Sequence, residues 1–172
     1  KKDSKSSEIN WAEMTELKDI GNFPFVVIPE ELKINSEKDG FSNFFDSAKL
    51  ENLTKFGVVT TKGKLGVLHF QDQKGSLYNQ SLFENTFYNY FEKIGATELY
   101  KNTLPEINSE NESQLNKLAE NAKIGGVDFN YYNHGNYPTA VYVFKNNGKK
   151  YIANIQSNAS EGNVFIMEIK EN

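Results

Sequence analysis

The sequence contains no cysteine and no arginine, and it has only one tryptophan and two methionines. Without cysteine, neither a disulfide framework nor a thiolate metal site can form within these 172 residues. All 19 basic residues are lysine. Because the arginine fork is the usual device for reading phosphates and base edges, this composition argues against nucleic-acid binding.

Several motifs that carry chemistry are also missing. There is no apolar run long enough to span a bilayer, no G-x-S-x-G elbow for a nucleophilic serine, and no glycine-rich phosphate loop. Of the two histidines, His69 alternates with apolar residues in a strand pattern, and His134 has only Asp128 as a nearby acid. A zinc site needs three or four ligands. The sequence therefore predicts no metal and no cofactor, and it identifies no catalytic residue.

Aromatic residues are abundant instead, with 13 phenylalanines and nine tyrosines that predict an aromatic-rich core. A chain of 172 residues can bury that core as one domain. We expect the charged and small residues 1–9 to form a flexible tether, and residues 10–172 to form the single domain. The tether resembles the segment after the lipid-bearing cysteine of a bacterial lipoprotein. This resemblance implies an exported, lipid-anchored protein, and an arbitrary start of the sequence is the alternative.

The last third of the chain, residues 139–170, has the clearest strand pattern. Three runs rich in β-branched and aromatic residues are separated by Asn146-Asn147-Gly148 and by the polar loop of residues 157–163. Asn and Gly tolerate the positive φ angles of tight hairpin turns. The pattern predicts an antiparallel three-stranded meander, and alternation along its last strand places Phe165 and Met167 on the core face.

Two helices are predicted upstream of the meander. Over residues 80–94, apolar residues recur at three-to-four spacing, and Gly95 is a candidate for a left-handed cap. Over residues 109–123, Ser109 as N-cap and Glu112 at the third helical position form a capping box. Gly125-Gly126 is expected to end this second helix.

Shorter segments complete the predicted fold. A short helix is predicted over residues 10–17. The other strand candidates are residues 23–28, residues 56–61 and 64–71 as a hairpin around Lys62-Gly63, residues 97–101 and residues 127–132. The sequence thus predicts an α+β fold, with an antiparallel sheet of about five to seven strands ending in the meander and two main helices packed on one face.

The order of these elements and a set of residues along them resemble a known family. The residues are Phe83-Glu84-Asn85, Tyr90, Gly95, Leu99-Tyr100, Asn147-Gly148-Lys149-Lys150-Tyr151 and residues 165–171. Over residues 64–101 and 139–171 the chain resembles the domain of unknown function that precedes the peptidoglycan-binding module in lipoproteins of the outer-membrane-protein-A family. The resemblance implies an exported, envelope-associated α+β domain and assigns no activity. Residues 109–123 and the tyrosine-rich stretch after them depart from it as an insertion.

One loop carries the candidate binding residues. It reads YYNHGNY and contains Tyr131, Tyr132, His134, Asn136 and Tyr137. A loop of aromatic and amide side chains can stack on sugar faces or anchor a protein partner, where tyrosine is favoured. The alternative is that these tyrosines only cover the sheet edge.

The sequence favours a non-enzymatic domain that binds an envelope protein or a glycan, or that spaces a partner, and it leaves the oligomeric state open. Contact with a membrane is expected only through the lipid anchor. Two alternatives stay open. One is a glycan or ester hydrolase, because triads and paired carboxylates assemble from remote positions. The other is a carrier of a small apolar ligand, with a cavity lined by Phe41, Phe44, Phe45 and Phe87.

Overall fold

The structure is a computed structural model that describes residues 9–29, 32, 43–71 and 78–170. Most of the predicted tether (residues 1–8) and Phe41 lie outside the described residues. The helices and strands, in chain order, are β1 (Asn43–Thr54), β2 (Gly57–Gln71), α1 (Gln80–Ile94), β3 (Thr97–Thr103), α2 (Glu112–Leu118), β4 (Lys123–Ile124), β5 (Val127–Asp128), β6 (Pro138–Asn146), β7 (Lys149–Ser157) and β8 (Glu161–Ile169).

Six of the described strands form one antiparallel sheet in the order β1-β2-β8-β7-β6-β3, and β4 pairs with β5 in a separate hairpin. The sheet and the two helices confirm the predicted α+β class and strand number. The meander is confirmed as β6-β7-β8. Its first turn consists of Asn147 at φ 50° and Gly148 at φ 75°, the positive values that these residue types permit.

Strand β2 is longer than the sequence pattern predicts. The predicted hairpin at Lys62-Gly63 is wrong, because β2 runs straight through these residues. Gly63 is required for a different reason: a Cβ atom there would overlap the backbone carbonyl oxygen of Glu168 in β8. The hairpin turn lies earlier, at Lys55 and Phe56, between β1 and β2.

Helix α1 has the predicted bounds because both ends carry local signals. At its start, Asn79 Oδ1 accepts a hydrogen bond from the Leu82 amide at 2.9 Å, the usual geometry of an N-cap. At its end, Gly95 adopts the left-handed conformation with φ 91°, which a residue without a side chain reaches at no steric cost.

Helix α2 is shorter than predicted and begins later. The α-helix covers Glu112–Leu118 and continues as a 3₁₀ turn over Ala119–Ala122. The predicted capping box at Ser109 is wrong, because the N-cap is Asn111 and it makes no side-chain capping bond. In the turn before the helix, Asn108 Oδ1 accepts from the backbone amides of Glu110 at 2.9 Å and Asn111 at 3.0 Å. The strand predicted over residues 127–132 is reduced to the two residues of β5.

Both faces of the sheet are buried, and each helix covers a different face. Along β8, Val164 and Ile166 pack with the side chains of α1, whereas Phe165 and Met167 pack with those of α2. The first core, on the α1 face, includes Phe70, Phe83, Phe87, Phe91, Tyr142, Phe144 and Tyr151. The second core, on the opposite face, includes Leu50, Leu65, Val67, Leu115, Leu118, Val141 and Ile152. The expectation that both helices share one face is therefore corrected, since strands that are apolar on both sides need a cover on each.

The sheet curls so strongly that its two outermost strands meet. The amide of Lys55, just after β1, donates to the carbonyl of Leu99 in β3 at 2.9 Å. Farther along, Asn154 Nδ2 of β7 reaches across the concave face to the Glu51 carbonyl of β1 at 3.0 Å. We call the meeting line of β1 and β3 the seam, and the second core fills the concave side of the sheet.

A buried polar cluster lies within the second core. Asn154 is fully buried, and its Nδ2 also donates to Asn52 Oδ1 at 3.0 Å. Asn52 in turn donates to Thr61 Oγ1 at 2.9 Å. Asn121 adds a pair of bonds to Glu51 of β1: its Oδ1 accepts from the Glu51 amide at 2.9 Å, and its Nδ2 donates to the Glu51 carbonyl at 2.7 Å. Buried polar groups thus satisfy one another, as an apolar surrounding requires.

The N-terminal segment packs along the sheet without a strand or a full helix. The predicted helix over residues 10–17 is a single 3₁₀ turn, Trp11–Glu13, and residues 23–28 form no strand. The segment is attached to β6 instead, because the Leu17 amide donates to the Lys145 carbonyl and Asn146 Nδ2 donates to the Leu17 carbonyl, each at 2.8 Å. Within the described residues, neither α-helix has the length and apolar character needed to cross a membrane.

Candidate functional site

Tyr131 is buried in the second core, with 6 % of its surface exposed. Its ring contacts Phe165 edge-on, with centroids 5.6 Å apart, and its hydroxyl donates to Asn154 Oδ1 at 2.8 Å. Burial raises the pKa of the Tyr131 hydroxyl, so the group keeps the proton that it donates. The structure therefore separates Tyr131 from the other four predicted site residues, which lie nearer the surface.

Tyr132 and Tyr137 form a stacked pair. Their ring centroids are 4.1 Å apart with an interplanar angle of 18°, and both residues are half-buried. Gln156 of β7 fixes the backbone here, because its Oε1 accepts from the Tyr132 amide at 2.7 Å and its Nε2 donates to the Tyr132 carbonyl at 2.9 Å. The pair is thus positioned by the sheet itself.

His134 and Asn136 are the exposed members of the loop. His134 Nδ1 lies 2.9 Å from Asn133 Oδ1, and Asn133 Nδ2 donates to Asn116 Oδ1 of α2 at 3.2 Å. These contacts connect the loop to α2 and leave the imidazole and the Asn136 amide at the surface, beside the stacked tyrosines.

A buried carboxylate, Glu161 at the start of β8, adjoins the stacked pair. Its side chain is 9 % exposed. One carboxylate oxygen accepts from the Tyr132 hydroxyl at 3.3 Å, and the other accepts from Asn130 Nδ2 at 2.7 Å. Burial raises the pKa of Tyr132, and the charge of Glu161 and the hydrogen bond to it act in the same direction. Tyr132 therefore stays protonated and donates to the carboxylate.

His69 of β2 lies on the other side of Glu161. Its Nε2 is 3.9 Å from the Glu161 carboxylate, and its Nδ1 is 2.5 Å from Asn163 Oδ1. The Asn163 amide is oriented by its Nδ2, which donates to the Asn130 carbonyl at 3.1 Å. Because Asn163 Oδ1 can only accept, His69 Nδ1 carries a hydrogen, and Nε2 faces the Glu161 carboxylate.

These contacts connect five residues: Tyr132, Tyr137, Glu161, His69 and Asn130. Together with His134 and Asn136, the exposed residues of the same loop, we call them the tyrosine-loop site. The sequence pattern identified the loop members but missed Glu161 and Asn130, and it treated His69 as an ordinary strand residue. The register pairs His69 with Asn163 across β2 and β8. Only that pairing, which links residues distant in sequence, could have revealed the group.

The tyrosine-loop site provides hydrogen-bonding groups and an aromatic surface. The described partners of Glu161 are a tyrosine, an amide and a histidine, whereas glycoside hydrolysis uses a second carboxylate across the bond to be cleaved. In the part of the chain that the structure describes, no three His, Asp or Glu side chains gather to hold a metal ion. The arrangement can therefore bind a polar ligand through stacking and hydrogen bonds.

The Phe residues proposed to line a carrier cavity do not share one space. Phe87 is fully buried in the first core, under α1. Phe45 packs against the second core and contacts Phe129 with ring centroids 6.4 Å apart. Phe44 is 54 % exposed. Since Phe45 and Phe87 lie on opposite faces of the sheet, they cannot line a common cavity.

Comparison of the chain with protein-family models, with curated proteins and with solved structures gives no match.

Proposed function

We propose that this chain is a non-enzymatic binding domain whose tyrosine-loop site takes an uncharged polar ligand, with a glycan as the chemical type. The stacked pair of Tyr132 and Tyr137 beside the buried carboxylate of Glu161 is the observation that carries the proposal. An aromatic face binds the apolar face of a sugar ring, while carboxylate and amide groups accept and donate to its hydroxyls.

Preorganisation supports a binding role for this site. The two hydrogen bonds between Gln156 and the backbone of Tyr132 hold this tyrosine, and the Glu161 amide donates to Asn158 Oδ1 at 2.9 Å. Groups that are already ordered lose little conformational freedom when a ligand binds. The formal net charge of −4 disfavours a polyanionic ligand and leaves neutral glycans as the better match.

The location of the domain is part of the same proposal. We propose that it lies outside the cytoplasm of a bacterium, attached to the envelope through a lipid anchor. The polar N-terminal segment and the family resemblance support this placement. Metabolic labelling of the natural protein with a radioactive fatty acid, followed by membrane fractionation, tests it. Recovery of this protein in the soluble cytoplasmic fraction, without the fatty-acid label, would contradict it.

The binding proposal is tested with the purified chain and a set of soluble neutral oligosaccharides, monitored by isothermal titration calorimetry. Tyr137→Ala removes one ring of the stack and is expected to weaken binding by about 2- to 12-fold, the equivalent of one aromatic contact. Glu161→Gln is expected to weaken binding as well, because the amide loses one acceptor oxygen.

Tyr90→Ala is the matched control, since Tyr90 is a half-buried tyrosine on α1, on the opposite face of the sheet. It is expected to bind as the unmodified chain does. Circular dichroism confirms that each variant is folded. Equal affinity of the Tyr137→Ala and Tyr90→Ala variants, or no binding of any oligosaccharide, would contradict the proposed function.

A further inference from the structure

A cleft of about 470 Å³ lies at the seam, between the N-terminal segment and the meeting ends of β1 and β3. Its volume is in the range that small-molecule sites occupy, about 300–1,000 Å³. The buried side chains of Leu99 and Val143 lie beneath the cleft, and the half-buried ring of Phe56 contributes apolar surface to its wall. Met14 and Leu17 of the N-terminal segment, both half-buried, also line the cleft.

Two side chains of opposite charge, Glu13 and Lys55, also line this cleft. Both are exposed, and neither forms an ion pair with the other or with any other residue that the structure describes. Lys55 Nζ lies over the Phe56 ring, 5.4 Å from its centroid. Elsewhere lysines do pair, as Lys101 does with Glu92 at 2.7 Å. The cleft thus keeps a cation and a carboxylate available at the same time.

The residues that carry these charges are fixed by backbone hydrogen bonds. The Lys55 amide donates to the Leu99 carbonyl at 2.9 Å. Glu13 ends the 3₁₀ turn, which is closed by the Met14 amide donating to the Trp11 carbonyl at 3.2 Å. The two charges therefore approach the cleft from different segments, one from the sheet and one from the N-terminal segment.

We propose that the seam cleft binds a small zwitterion with an apolar body, of the class of short apolar peptides with free termini. The peptide carboxylate pairs with Lys55, the ammonium group pairs with Glu13, and an apolar side chain contacts the half-buried Met14, Leu17 and Phe56. This inference is independent of the tyrosine-loop site, because the two sites share no residue.

The test uses the free tripeptide Leu-Ala-Leu together with its N-acetylated and C-amidated forms. Binding to the isotope-labelled chain is followed by NMR through the backbone amides of Phe56, Gly95 and Thr97, which line the cleft. We expect the free tripeptide to shift these amides. Each blocked form is expected to bind about 2- to 5-fold more weakly, the effect of losing one exposed ion pair.

Two variants assign each charge to one end of the peptide. Lys55→Gln is expected to weaken binding of the free and N-acetylated peptides and to leave the C-amidated peptide unaffected. Glu13→Gln is expected to show the reverse, with the N-acetylated peptide unaffected. Lys123→Gln and Asp128→Asn, at exposed positions of the β4-β5 hairpin, are the matched controls and are expected to change nothing.

The substituted side chains are exposed, so the variants are expected to retain the spectrum of the folded chain. Absence of shifts at a peptide concentration of about 10 mM would overturn the proposal. Equal binding of all three peptides, or equal effects of the cleft variants and the hairpin controls, would also overturn it.

Discussion

The substitution Gly63→Ala tests the register of the central strand pair. Gly63 lies in the middle of β2 opposite Ile169 of β8. An added Cβ atom would overlap the carbonyl oxygen of Glu168 and would lie 2.9 Å from the amide nitrogen of Lys170. Both obstructing atoms belong to the backbone, so no side-chain rotation can relieve the overlap, and the two strands must separate locally.

The expected loss of stability has two parts. Forcing extra volume into a packed site costs about 1–3 kcal/mol. Separating the strands also breaks the hydrogen bond from the Lys170 amide to the Lys62 carbonyl, 2.9 Å long, which contributes about 0.5–1.5 kcal/mol. We therefore expect Gly63→Ala to lower the free energy of unfolding by about 2–4 kcal/mol, which lowers the melting temperature by about 4–16 °C for a chain of this size.

Urea unfolding followed by circular dichroism measures this loss. Gly126→Ala is the matched control: Gly126 is also a glycine, at φ 80°, but a Cβ atom there meets nothing within 4 Å. The control carries only the conformational cost of a left-handed alanine, about 1–2 kcal/mol. If Gly63→Ala cost no more than the control, the close approach of β2 and β8 at this position would be refuted.

Two further predictions concern buried groups. Asn154→Leu is expected to lower the free energy of unfolding by about 2–4 kcal/mol, because it removes the described hydrogen bonds of the buried Tyr131 hydroxyl and of Asn52 Oδ1. A loss of less than about 1 kcal/mol, measured by urea unfolding, would contradict this. Burial, with the nearby charge of Glu168 and the hydrogen bond to it, raises the pKa of Tyr151 to about 12. Since the unfolded pKa is about 10, the stability linked to this group is complete below pH 10 and is lost as the pH rises toward 12. Tyr151→Phe should therefore make the alkaline loss of stability less steep, by up to about 1.4 kcal/mol per pH unit. Plots of unfolding free energy against pH that run parallel for the two proteins over this range would disprove it.

The elements predicted correctly from the sequence are those with local signals. Helix α1 has a capping Asn79, an apolar stripe and a terminating Gly95 within one short stretch. The meander has its turn residues between the strands that they connect. Strand β1, in contrast, reads NFFDSAKLENLT and is not among the predicted strands, because pairing with β2 stabilises it and its own sequence has no clear strand periodicity.

The wrong hairpin prediction at Lys62-Gly63 shows why a short stretch of sequence does not predict contacts between distant strands. At Lys62-Gly63 the same residue type that marks a turn also marks a close approach between strands. The two roles differ only in what lies opposite, and β8 is about a hundred residues away in the chain. The placement of the helices on opposite faces has the same origin, since both faces of the central strands are apolar and the sequence does not say which face each helix covers.

The tyrosine-loop site could be predicted only in part from the sequence, for a related reason. The loop was recognisable by composition, but burial of Tyr131 depends on its bond to Asn154 in β7. The carboxylate of Glu161 joins the site because β8 lies beside β2 and brings Asn163 opposite His69. Composition predicts which residue types can bind, and sheet register decides which of them are together.

The pairing of Asn121 with Glu51 has a consequence for the behaviour of the protein in concentrated solution. The outer edge of a sheet offers unpaired backbone groups, which can recruit a strand from another copy and start aggregation. At Glu51 these groups are already occupied by a side-chain amide. Because Glu51 and Asn121 are both buried, another copy reaches this edge only after the segment that carries Asn121 moves away. An aspartate at position 121 exchanges the amide donor for a negative charge, so we expect it to ease that movement and to raise the rate of aggregation.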